Sequence, residues 1–290
     1  VLDLADSILS LTGNGTISGP LKLESGTLQS TGSPTVSGAM TQYSDVTIEV
    51  SNNQTLTYSG APFSLGANTL TLTGGGTLVS GGLDLNNADS KLLLNSITVD
   101  NVSTTVDNSL GVDVDNNSTI TSLSVANITP VSIASGKTLS GAITLTAGSI
   151  NLDETGTLAS TVEMSGGTLD ADESLTVSGA LTQSGDTTID VLANKTLTYS
   201  GATLSLGANT LTMSGGGTFY NSDNLTLCAE SILKLDGIAK VEKVFVSEKL
   251  TNNQQTVLNL LEGTKEPLKA YTILFGIKKK GIKSPKKPDI

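Results

Sequence analysis

Histidine and arginine are absent from this 290-residue chain, so all sixteen of its cations are lysines. Without histidine there is no His-based triad and no His-ligated metal. Without arginine there is no arginine finger and no bidentate fork for guanine edges, which removes most nucleic-acid readers. Tryptophan is missing too, and four Phe with five Tyr make the chain only 3% aromatic. Large rings bury the most area per residue, so an interior without them is expected to be built in thin layers of Leu, Val, Ile and Ala. A single cysteine, Cys228, permits no internal disulfide and reads as an inert strand thiol. Secreted eukaryotic domains of this size usually carry several cysteines, whereas exported bacterial surface proteins often have almost none. No apolar run approaches the roughly 20 residues of a membrane span. Asp3 and Asp6 stand where a signal peptide would be basic, so an export signal is expected to have been removed or to lie outside this sequence.

Charge is sparse and uneven. Charged residues make up 15% of the chain, below the usual quarter. Residues 1–230 hold four lysines against twenty-one acids, a net −17, and residues 231–290 hold twelve lysines against six acids, a net +6. An acidic body repels nucleic-acid phosphates and anionic membranes. The basic end reads either as a solvated linker or as an assembly contact made by Lys278, Lys279, Lys280, Lys283, Lys286 and Lys287.

What the chain does have is repetition. Residues 35–79, TVSGAMTQYSDVTIEVSNNQTLTYSGAPFSLGANTLTLTGGGTLV, return as residues 176–220, TVSGALTQSGDTTIDVLANKTLTYSGATLSLGANTLTMSGGGTFY, at an offset of 141 with no gap. Inside each copy Ser37-Gly38-Ala39 recurs as Ser59-Gly60-Ala61, and Ser178-Gly179-Ala180 as Ser200-Gly201-Ala202, a period of 22. Apolar peaks near Ile189, Leu197, Leu204, Leu211 and Phe219 come every seven or eight residues, which makes three short strands per period. Thr69-Leu70-Thr71-Leu72-Thr73 and Thr210-Leu211-Thr212-Met213-Ser214 alternate with period two, with Leu and Met inward and Thr facing water. Gly-Ala-Asn and triple-Gly stretches between them supply positive φ at turns. Strands this short cannot bury their faces alone, but stacked coils can. The pattern predicts an all-β chain: a parallel β-solenoid, a right-handed three-faced β-helix of roughly ten coils over residues 1–230. Terminal coils and a capping hairpin follow over 231–276, then a lysine-rich tail or linker over 277–290.

The cadence Gly26-Thr27-Leu28, Gly76-Thr77-Leu78 and Gly167-Thr168-Leu169, with its Ser-Gly turns, resembles bacterial autotransporter passenger domains and related β-helical surface adhesins. The closing segments resemble the end of many passengers, where final coils and a hairpin cap the helix. These are Ser231-Ile232-Leu233-Lys234-Leu235, Val244-Phe245-Val246, Val257-Leu258-Asn259-Leu260 and Ala270-Tyr271-Thr272-Ile273-Leu274. The resemblance implies secretion and a surface location. It brings no shared catalytic motif, and no β-barrel translocator follows within these residues.

Three chemistries have candidate residues. Asp113, Asp115 and Asn117 begin like a calcium loop, but Ser118 and Ser124 stand where that loop needs Gly and Glu. Asp153-Glu154 with Asp170, Asp172 and Glu173 offer carboxylates for a glycosidase pair. The competing reading is turn carboxylates that keep an acidic rod soluble. The pairs Thr55/Thr57, Thr69/Thr71, Thr196/Thr198 and Thr210/Thr212 raise ice binding, yet the column from Thr196/Thr198 should continue as Thr218/Tyr220, where a ring interrupts it. Asn53-Gln-Thr55 and Asn194-Lys-Thr196 fit the glycosylation pattern, which a chain so rich in these residues makes by accident. The expectation is therefore a non-enzymatic extracellular bacterial surface protein with no catalytic, cofactor or metal residues: a structural rod, adhesin stalk or filament subunit. Its expected partners are copies of itself, head to tail, and host-cell or surface glycans, not nucleic acid. The alternative is a β-helical polysaccharide lyase or hydrolase, or further off an ice-binding solenoid.

Overall fold

Alternation in Thr69–Thr73 places every second side chain on one side of an extended strand. In the computed structural model Leu70 and Leu72 are wholly buried, and the three threonines point outward. That strand pairs in parallel with Val46–Val50 before it and Lys91–Asn95 after it, Ile48 and Leu94 standing either side of Leu72. The same arrangement repeats along the chain as a parallel β-solenoid of about 12 turns, with no helix among the described residues. The structure describes residues 1–222, 225–227, 231–241, 244–246 and 271–274.

Each turn contributes three strands. One face runs from Ile8–Leu11 to Ile232–Asp236, a second from Thr16–Ile17 to Lys240–Val241, and a third from Leu2–Leu4 to Val244–Val246. In the middle, Ser118–Val125 and Thr138–Leu145 each serve the second and third faces in one strand, with a register shift between Ile120 and Leu123. At about 4.8 Å per turn the stack is about 55 Å long.

Register explains the duplication. On the first face Leu9, Leu28, Ile48, Leu72 and Leu94 are successive partners, spaced 19, 20, 24 and 22 residues apart. In the second copy Ile150, Leu169, Ile189, Met213 and Leu235 repeat the same four spacings. Seven strands of this face separate Ile8–Leu11 from Ser149–Leu152, so the 141-residue block is seven turns. Its mean turn is therefore about 20 residues, not 22, and residues 1–230 hold eleven strands of this face where ten coils were expected. The 22-residue period belongs to the longer turns alone.

Those longer turns carry an extra corner. Asn53 and Asn194, at φ +60° and +65°, turn the chain in the left-handed region that asparagine tolerates. Asn-Gln-Thr and Asn-Lys-Thr are thus a structural device repeated once per copy. The Ser-Gly steps have another cause. A Cβ on Gly38 or Gly179 would collide with the carbonyl oxygen of Gly19 or of Ser160 on the preceding turn, so coils can stack at this corner only over glycine.

The interior is a continuous column of Leu, Val and Ile, as expected, but rings are also inside. Tyr58, Tyr199, Phe63 and Phe219 are the largest fully buried side chains. Tyr58 meets Phe63 edge-on at 6.1 Å, and Tyr199 stacks with Phe219 at 6.3 Å. The Leu181 amide donates to the Tyr199 hydroxyl at 3.1 Å, and that hydroxyl donates to the Ala202 carbonyl. Thr71 and Thr212 are half-buried, not exposed as alternation alone implies, because the rungs above and below press against them. At the far end Tyr271–Leu274 pairs antiparallel with Ile232–Asp236, a strand added at the edge of the first face. Val257 to Leu260 lie outside the described residues.

Candidate functional site

Outward side chains fall into columns, because each rung sits in register on the last. On the first face one column runs Asn151, Asp170, Asp190, Ser214. Its equivalent in the first copy runs Ser10, Gln29, Glu49, Thr73. There the Ser10 hydroxyl donates to Gln29 at 3.3 Å, and the Gln29 amide donates to Glu49 at 3.2 Å. The second copy replaces that amide with a carboxylate. Asp170 is half-buried and stacked against Asp190, with Asp172 nearby, and its pKa is pushed up to about 6 by burial first and by the two like charges next. Asp190 is stabilised separately by the Ser214 hydroxyl, which donates to it. Beside this column an open groove of about 440 Å³ is lined by Thr168, Asp186, Thr188, Thr210, Thr212 and Lys234.

The carboxylates expected to pair are therefore only partly brought together. Asp170 and Asp172 share one electrostatic environment. Glu173 turns to Lys195 on the next turn, at 2.5 Å, and Asp153 accepts from Ser132 on the preceding turn, also at 2.5 Å. Glu154 is exposed. Asp190, which sequence reasoning does not single out, is the residue that completes the acidic rung. The signal is present in the spacing: a 20-residue turn places position 190 on position 170.

The residues of the calcium-loop reading serve adjacent turns. Asp113 forms an ion pair with Lys91, one rung away. Asp115 is exposed, and Asn117 accepts from the backbone amide of Thr138 at 3.0 Å. No group of three or more acids or cysteines among the described residues is placed to hold a metal ion.

The threonines form a spine. Thr55, Thr77, Thr98 and Thr119 are in register on the second face, ending at Ser140; Thr138, Thr157, Thr176 and Thr198 follow, ending at Tyr220. Thr196 and Thr198 meet Thr218 and Tyr220, the interruption expected from the sequence. The neighbouring column mixes Thr57 with Val79, so the regular array is one residue wide and jogs between Thr119 and Thr138. Lys278, Lys279, Lys280, Lys283, Lys286, Lys287 and Cys228 lie outside the described residues. No protein-family model, curated protein or solved structure matches the chain.

Proposed function

We propose that this chain is a non-enzymatic structural rod on a bacterial exterior, acting as an adhesin stalk or filament subunit. The observation that carries this reading is where the polar side chains are used. Lys91 with Asp113, Glu173 with Lys195, Ser132 with Asp153, Thr105 with Asp84 and Gln29 with Glu49 each tie one turn to the next. Polar groups spent as ties between successive turns stiffen a spacer and leave a Ser, Thr and Asn surface toward glycans or a host cell. The resemblance of the repeat cadence to passenger domains and the single cysteine support an extracellular location. The test is to display the chain on bacteria and measure adhesion to host cells and glycan arrays. The reading requires distance-dependent display or glycan binding, and fails if the protein is retained in the cytoplasm of its source.

One observation favours a second reading, a polysaccharide-cleaving enzyme. Asp170 titrates near pH 6 beside a second carboxylate, Asp190, and an open groove, which is the setting of a general acid. Reducing-sugar release from a polysaccharide panel, abolished by Asp170→Asn, would establish that reading over the first.

A further inference from the structure

The first turn differs from those stacked on it. Leu2–Leu4, Ile8–Leu11 and Thr16–Ile17 each pair on one side alone. Leu9, Leu11 and Ile17, the inward residues of this turn, are only partly buried, whereas Leu28 and Val36 one turn on are fully enclosed. Leu2 is 41% exposed and Ile8 68%. The carbonyls of Leu4, Ser7, Leu11, Gly15 and Ile17 accept amides from the second turn. Backbone groups alternate along a strand, so Asp3, Ser10 and Thr16 direct their N–H and C=O away from that turn, along the rod. The end is thus a free edge on three sides of an open apolar core. Its three strands have no proline and no inward charge, the devices that usually protect an edge.

Charge selects the occupant. Residues 1–21 contain Asp3 and Asp6 and no lysine. The last described turn presents Lys234 and Lys240, and residues 231–290 together are net +6.

Resting on the rod reading above, we infer that the first turn docks end-on onto the last turn of a second copy of this chain. Thr16–Ile17 then continues the ladder of Lys240–Val241, and Leu2–Leu4 that of Val244–Val246, both in parallel as in every turn below. Ile8–Leu11 meets Tyr271–Leu274, the strand already added at the edge of the first face. Main-chain hydrogen bonds and a continued Leu, Ile and Val column hold the joint, with Asp3 and Asp6 facing the lysines. A head-to-tail contact of this kind does not close and grows into a filament.

Sedimentation velocity and negative-stain microscopy of the full chain, across concentration at low and high salt, test this. Linear oligomers that lengthen with concentration and shorten with salt are expected. Thr16→Pro removes an edge amide that bonds to nothing within the first two turns, and should give monomers with an unchanged melting temperature. The double change Asp3→Lys with Asp6→Lys should weaken association at low salt by at least about tenfold and does not depend on the proline variant folding. A chain that stays monomeric throughout, a discrete dimer, or filaments unchanged in both variants overturns the inference. So does a longer native product in which preceding residues cover the first turn. Single-particle shape of the monomeric variant reports on the rod separately: elongated particles without association sink the docking and leave the rod intact.

Discussion

Asp170 occupies the rung that Gln29 fills in the first repeat, and the exchange has a pH signature. Its folded pKa is raised from 3.8 to about 6, so the fold binds this proton more tightly than the unfolded chain does. Stability from this group is therefore present at low pH, falls as pH rises from about 4 to about 6, and is absent above that. Asp170→Gln, which restores the amide of the first copy, should raise the melting temperature at pH 7.5 and close the gap by pH 4. After discounting for solvent screening the gain is about 1 kcal/mol. Thermal melts of both proteins across that range check it, and a gap independent of pH contradicts it. Tyr199→Phe should cost about 1–2 kcal/mol in urea unfolding, because it strands the Leu181 amide and the Ala202 carbonyl. Alternation by itself makes Leu70, Leu72, Leu211 and Met213 legible as core. The inward turn of Tyr58 and Tyr199 is not legible in that way, because a ring with a polar tip fits either side of a strand until its hydroxyl finds a partner.

At the scale of the element, each strand depends on the rung before and the rung after it. Leu70→Asp places an unpaired charge between Val46 and Leu92. The cost should exceed about 4 kcal/mol, with unravelling that spreads into adjacent turns, read as new protease cuts near residues 46–95. Thr71→Asp, one residue away and outward, should cost less than about 1 kcal/mol and leave the protease pattern unchanged. If both behave alike, the inward and outward faces are misassigned. Strand positions and their three-per-turn rhythm can be read from apolar spacing, since period two and a seven- to eight-residue gap survive without tertiary information. Turn length cannot. Corners at Asn53 and Asn194 lengthen some turns by a few residues, and only the register reveals that the others hold 19 or 20. The same blindness hides the acidic rung, since Asp170 and Asp190 become neighbours only once the turn between them is known to be 20 residues.

For the whole molecule, a stack of near-identical turns makes length an additive property, and the 141-residue duplication doubles a seven-turn rod. Pulsed electron spin resonance measures that directly. With Cys228→Ser as background, spin labels at Thr47→Cys and Thr188→Cys lie at equivalent outward positions in the two copies, seven turns apart. The separation should be about 34 Å, and the same for labels at positions 71 and 212. Labels at positions 47 and 71, on adjacent rungs, should fall within about 10 Å. A 47-to-188 distance well under about 20 Å, or a 47-to-71 distance as long as the inter-copy one, would contradict the stacked, duplicated solenoid.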